Sequence, residues 1–203
     1  MPKLNPDLHG SAPDRSPVVL LLIDVINDME FEGGEKLLKH ALPAARKIAA
    51  LKKRAKAAGV PAIYVNDNFG RWQSDFTKLV RHCLEDGVRG APITEILQPE
   101  EEDYFVLKPK HSGFFASSLD ILLQYLGAET LILTGFAGNL CVLYTANDAY
   151  MRDYSLIVPS DCMASEIARA NVYALDQMKR YLKAKTSPSS RVRFEPGPDG
   201  AQP

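Results

Sequence analysis

The sequence predicts one α/β domain built on a mainly parallel sheet with helices on both faces. Three observations carry this expectation. Short apolar runs alternate with longer amphipathic stretches along most of the chain, the pattern left by strand–helix units wound into a parallel sheet. The first run, "PVVLLLID" (17–24), is apolar up to its closing acid, as befits a strand buried on both faces. The chain has 203 residues, 46% of them apolar, which is enough for a substantial core and excludes wholesale disorder. No internal repeat or linker divides it. Residues 1–15 and 188–203 are rich in Pro, Gly, Ser and charge and read as disordered N- and C-terminal tails around a domain at 16–187.

The elements follow in order. After the strand at 17–24, "LPAARKIAALKKRAKAAG" (42–59) spaces Leu42, Ile48, Leu51, Ala55 and Ala58 near the helical period. Pro43 stands where a helix can begin and Gly59 where it can stop. "VPAIYVND" (60–67) is the second strand. A helix over 74–87 takes Ser74 as N-cap and Gly87 as its stop. "YFVLK" (104–108) is the third strand and 117–127 the next helix. "TLILTGF" (130–136) is the fourth strand, leading into a helix at 139–152. "SLIVPSD" (155–161) is the fifth, followed by a helix at 165–182, with a weak sixth strand at 183–187.

Composition narrows the function. A net charge of −1 gives no footprint for a nucleic-acid partner. The longest apolar run is too short to span a bilayer, and the polar, proline-rich start lacks the apolar core of a secretory signal. Cys83, Cys141 and Cys162 form no CxxC pair, and their odd number fits a reducing compartment. The expectation is a cytoplasmic protein with no membrane partner. His9, His40, His82 and His111 lack ligand spacing, so no metal and no cofactor are expected.

In parallel sheets ligands bind beyond the carboxyl ends of the strands. Those ends are Asp24, Asp67, Lys108, the turn at 136–141 and Asp161. Asp24 closes the most apolar strand, where an acid is costly unless partnered. Lys108 closes another, and Cys141 follows a glycine-flanked turn into a helix. A helix start and an ammonium lower a thiol pKa, a carboxylate can take and return its proton, and N–H groups of the Gly135–Cys141 turn can hold an oxyanion. Each residue also has a plainer reading: a structural salt bridge for Asp24, solvated surface for Lys108, packing for Cys141. Cys162 is the rival thiol, without the glycine turn, and Cys83 reads as core.

Three segments then resemble one family. "LLLIDVINDMEF" ends a first strand in an acid, "VLKPKHSGFFASSLD" places Lys108 four residues before Ser112, and "TGFAGNLCVLYTANDAY" carries G-x-A-x-x-x-C-V followed by T-x-x-D-A. Together they resemble the isochorismatase-like cysteine hydrolases, which include nicotinamidases, N-carbamoyl amidases and isochorismatases. The resemblance spans about 17–187. It implies a three-layer α/β/α fold with a six-stranded, mainly parallel sheet, and a catalytic set of Asp24, Lys108 and Cys141. It also implies a cis peptide at Phe136–Ala137, an oxyanion hole from the Ala137 and Cys141 N–H groups, and a closed homo-oligomer.

The sequence departs from the family pattern in places. Ile26 and Met29 replace the Gln and Phe of D-x-Q-N-D-F, with Phe31 available as the missing aromatic. The stretch after the second strand, "NDNFGRW", lacks the histidine of nicotinamidase metal sites. Asn139 stands where Asp is frequent. Phe31, Asn68, Trp72, Phe114 and Phe136 are the candidate pocket residues. Surface packing is the alternative for Trp72, an Asx-type turn for Asp67 and Asn68, and core packing for both remaining phenylalanines. The expected reaction is hydrolysis of a C–N amide or carbamoyl bond in a small molecule through a thioester. Two alternatives stand beside it: enol-ether hydrolysis with Asp24 as acid and no thiol, and a non-catalytic binding or assembly protein of the same fold.

Overall fold

The computed structural model describes residues 15–69 and 75–194. Strands β1 (Val18–Ile23), β2 (Ala62–Asp67), β3 (Tyr104–Lys108), β4 (Thr130–Phe136), β5 (Ser155–Ile157) and β6 (Met163–Ala164) form one six-stranded sheet of order β3-β2-β1-β4-β5, with β6 on β4. Every strand pairing is parallel. β1 lies at the centre, and five of its six residues are fully buried. Burial of side chains of this type is worth roughly 1.5–3 kcal/mol each, which is why the most apolar segment takes the middle of the sheet.

Alternate residues of β1 feed opposite layers. Leu20 and Leu22 face a core closed by helices α1 (Gly34–Ala57), α2 (Phe76–Glu85) and α3 (Ala91–Ile96). Val19, Leu21 and Ile23 face a second core under α4 (Leu119–Leu126), α5 (Leu143–Tyr150) and α6 (Ala168–Tyr181). The result is the three-layer α/β/α fold that the strand–helix alternation predicts.

Several boundaries differ from the sequence reading. α1 starts two turns before the expected site, at Gly34, and Pro43 lies inside it. The apolar spacing explains this, since Leu37 and Ala41 continue the buried stripe of Ala44, Ala45, Ile48, Leu51 and Ala55; packing outweighs the hydrogen bond that proline removes. The expected N-cap, Ser74, lies outside the described residues, and Asp75 accepts from the N–H groups of Thr77 and Lys78. α3 was not foreseen. The sixth strand is Met163–Ala164, and the expected one at 183–187 shrinks to a single bridge from Lys185 to Ile157.

Residues 188–194, expected as the start of the C-terminal tail, are held against the domain. Arg54 Nη2 donates to the Ser189 carbonyl at 2.6 Å and its Nη1 to that of Val192 at 3.0 Å. Asp161 accepts from the Ser189 N–H at 2.6 Å and from its hydroxyl at 2.9 Å. Residues 188–194 are therefore fastened to α1 by partners that composition does not reveal. Residues 1–14 and 195–203, also read as tail, lie outside the described residues.

Candidate active site

The chain runs β1→β2→β3 to one side, then returns beside β1 as β4 and continues to β5. The connections diverge between β1 and β4, and the crevice at such a switch point is where parallel sheets bind ligands. Asp24 leaves β1 there with φ 51°, a left-handed conformation that costs a non-glycine residue about 1–3 kcal/mol. Its N–H still donates to the Val65 carbonyl at 2.9 Å, so the ladder fixes the backbone while the turn re-aims the carboxylate.

Cys141 reaches the same crevice from β4. Gly135 has φ 126°, and a Cβ there would lie 2.0 Å from the Ile23 carbonyl oxygen, so only glycine lets β4 pass β1 this closely. A π-helical turn, Gly138–Val142, follows before α5. Within the turn the Leu140 N–H donates to the Ala137 carbonyl at 3.0 Å, and the Asn139 N–H to Ser165 Oγ at 3.1 Å. The Phe136–Ala137 peptide is trans, since the described residues contain no cis bond. That corrects the expected cis linkage: Gly135 absorbs the change of direction, and a non-proline cis bond would add about 3–4 kcal/mol.

Lys108 joins these groups. It is fully buried, with Nζ 2.9 Å from Asp24 Oδ2 and 3.7 Å from Cys141 Sγ. The Asp24 carboxylate and the Cys141 thiol, both neighbours of Lys108 Nζ, lie close enough to shift one another's titration. Burial is the largest single influence and works against the ammonium, but Asp24, Cys141 and Asp67 together outweigh it and hold the Lys108 pKa above its ordinary value. Burial raises the Asp24 pKa, partly countered by Lys108. Cys141 is the surprise. Burial first, then the Asp24 carboxylate, raise its pKa against the opposing pull of Lys108. The expected lowered thiol pKa is therefore corrected: one ammonium already paired to a carboxylate does not support a second anion. Burial and the Asp24 charge thus favour the protonated sulfur.

Residues outside the trio brace it. Thr145 Oγ1 donates to the Cys141 carbonyl at 2.7 Å and accepts from the Gly113 N–H at 2.9 Å. Ser112 hydrogen-bonds Asp148 and accepts from the Phe114 N–H at 3.2 Å. The Thr and Asp of T-x-x-D-A thus tie the helix that follows Cys141 to the loop that follows Lys108.

The candidate pocket residues divide. Phe31 is half-exposed before α1. Asn68 is buried, and its N–H donates to the Lys108 carbonyl at 2.9 Å. Phe114 and Phe136 are buried, each packed into one of the two layers, as the core-packing alternative has it. Trp72 lies outside the described residues. Cys162 is fully buried, with its thiol pushed up to about 12 by burial and Asp161; its Sγ partner is Asp161 Oδ1 at 3.8 Å, whereas Cys141 is the thiol beside Lys108. Asp161 itself serves the C-terminal segment. The described residues contain no cluster of His, Cys, Asp and Glu suited to a metal ion, and none of their helices is long and apolar enough to cross a membrane.

Asp67, a strand-end residue expected either to hydrogen-bond a substrate or to form an Asx-type turn, has a further part. It does make that turn, accepting from the Phe69 N–H at 2.6 Å. Its N–H also donates to Asp24 Oδ1 at 2.8 Å, and its Oδ2 lies 3.6 Å from Lys108 Nζ. The missed signal was strand order: β2 lies between β1 and β3, so its last residue neighbours both of theirs. A cavity of about 660 Å³ bordered by Asp120, Glu129, Arg152 and Ser155 opens at the opposite end of the strands. It borders no member of the trio, so chemistry and not volume marks the site.

The Isochorismatase domain model matches residues 18–188. The chain belongs to the isochorismatase family. This isochorismatase-family hydrolase is 41% identical over 173 residues to "Uncharacterized isochorismatase family protein YaaI" of Bacillus subtilis, covering 85% of this chain and 94% of that one. It is 27% identical over 176 residues to the ureidoacrylate amidohydrolase RutB of Methylorubrum extorquens, covering 73% and 70%. Among solved structures it resembles N-carbamoylsarcosine amidase from Thermoplasma acidophilum, with TM-score 0.68, 25% identity and coverage of 88% and 99%.

Proposed function

We propose that this family member hydrolyses an amide or carbamoyl C–N bond of a small molecule with Cys141 as nucleophile. The observation that carries the reading is the placement of buried Lys108 Nζ between Asp24 Oδ2, at 2.9 Å, and Cys141 Sγ, at 3.7 Å. Similarity to a ureidoacrylate amidohydrolase and to N-carbamoylsarcosine amidase supports the bond type.

In this reading Asp24 takes the thiol proton as Sγ attacks the carbonyl carbon. The Ala137 and Cys141 N–H groups receive the oxyanion; each such donor is typically worth about 3 kcal/mol of barrier. Collapse breaks the C–N bond while Asp24 returns the proton to the leaving nitrogen, and a thioester remains. Asp24 then deprotonates a water, which releases the acid and restores the thiol. Lys108 stays protonated and balances whichever partner is anionic.

The test is turnover of ureidoacrylate, N-carbamoylsarcosine and nicotinamide by the parent and by Cys141→Ala, with intact-mass analysis of the parent during turnover. An acyl adduct on Cys141, and at least about a 10³-fold loss in the variant, are expected. A variant that keeps the parent's rate overturns the nucleophile. Activity on an enol ether that survives Cys141 alkylation would favour Asp24 acting as acid alone.

A further inference from the structure

Lys108 has two anions and not one. The sheet order sets β2 between β1 and β3, and the register pairs Asp67 with Lys108 directly. Asp67 therefore meets both neighbours through separate groups. Its backbone N–H holds Asp24 Oδ1 at 2.8 Å, and its carboxylate lies 3.6 Å from Lys108 Nζ. Four elements converge on the crevice, and the ionisable groups they bring within reach are Asp24 from the end of β1, Asp67 from β2, Lys108 from β3 and Cys141 after β4. Lys108 makes no other ion pair among the described residues.

We propose that Asp67 is a positioning residue that fixes the charge of the site: its carboxylate gives Lys108 a second anion and so keeps Cys141 a thiol until Asp24 takes the proton. This rests on Cys141 being the nucleophile proposed above. With Asp24 alone, the ammonium stands in one-to-one balance, and ionising the sulfur would leave the cluster one negative charge in excess. With Asp67 added, the cluster carries an excess negative charge, and a further anion on sulfur is disfavoured. Asp67 acts in this direction on Asp24 and Cys141 alike, favouring the protonated form of each. A resting thiol is slow to react with stray electrophiles and oxidants, because the thiolate is the reactive form. Nucleophile formation is thereby tied to proton transfer within the site.

Asp67→Asn isolates the charge. Asparagine keeps a side-chain oxygen for the Phe69 N–H and leaves the backbone N–H on Asp24, so turn and alignment persist. The experiment follows iodoacetamide alkylation of Cys141 in the full chain against pH, read by peptide mass spectrometry, for the parent, Asp67→Asn and Asp67→Ser. The alkylation midpoint is expected to fall by roughly half a unit to one unit in both variants, the size of a partly screened charge at this range. A midpoint that stays put or rises in the folded variants overturns the proposal. The readout needs no turnover. A shift seen while Cys141→Ala remains active would leave the charge role standing and sink the nucleophile; an absent shift with an inactive Cys141→Ala would do the reverse.

Discussion

Two buried lysines stand at opposite ends of the same sheet, and only Lys108 has a thiol beside it. At the amino-terminal end, Lys52 is nearly as buried as Lys108, with Nζ 2.5 Å from Asp103 Oδ2 and 3.4 Å from Glu100 Oε1. Asp103 Oδ2 also accepts from the Glu100 N–H at 2.7 Å, and Glu100 continues outward to Lys56. Every charge in that network has a fixed answering group, its backbone follows ordinary turns, and it reaches solvent through Glu100. At the carboxyl end, Lys108 is sealed, its principal partner Asp24 has left-handed backbone, and the third neighbour is a sulfur with a transferable proton. Burial of a lysine is thus no mark of a site by itself. The mark is a buried cation whose partners include a group able to change covalent state, held by backbone that is costly to maintain.

Substitutions can break this comparison. The largest effect is expected from Lys108→Met, which should abolish turnover along with the charge balance and move Cys141 alkylation to higher pH, because the one group that favours the thiolate is gone. Lys52→Met should leave turnover intact while costing about 3 kcal/mol of stability in denaturant unfolding, since it strands a buried carboxylate. Equal losses of activity from the two would show that both ends serve only the fold.

The pH dependence sharpens the contrast on a smaller scale. Asp24 must be ionised to accept the thiol proton, and burial raises its pKa above the ordinary 3.8. The acid limb of kcat/KM should therefore lie above that value, with the rate rising as pH rises through the limb. A limb at the ordinary carboxylate position would remove Asp24 as base. The smallest effect concerns His82, half-exposed between Asp86 at 2.7 Å and Asp28 at 3.4 Å. Its hydrogen bond to Asp86, followed by Asp28, raises its pKa. The stabilisation is complete below the unfolded value near 6.5 and is lost as pH rises through the folded value. Screening limits it to about a few tenths of a kcal/mol, so thermal unfolding of His82→Gln should match the parent above that window and fall slightly short below it.

Strands were legible wherever apolar runs were continuous. The fourth, beside the central β1, was read to the residue at 130–136, because central burial demands unbroken hydrophobicity; the third, at the sheet edge, was read to the residue at 104–108 from its short apolar run closed by Lys108. Pro43 was misleading since its local preference for a helix start lost to a buried stripe that begins at Leu37. Asp24, Lys108 and Cys141 could be named from motif and strand-end position alone. Asp67 could not, because its significance depends on which strands are neighbours.

Taken by itself, the sequence determined the layers, the family and the three groups of the candidate centre, since hydrophobic period and motif spacing are properties of the chain read in order. Only the tertiary structure brought Asp67 beside Asp24 and Lys108 and set the burial of the sulfur. Charge balance in a sealed crevice depends on distances across strands that are far apart in the chain, and the sign of a pKa shift follows from the sum of burial and every neighbouring charge.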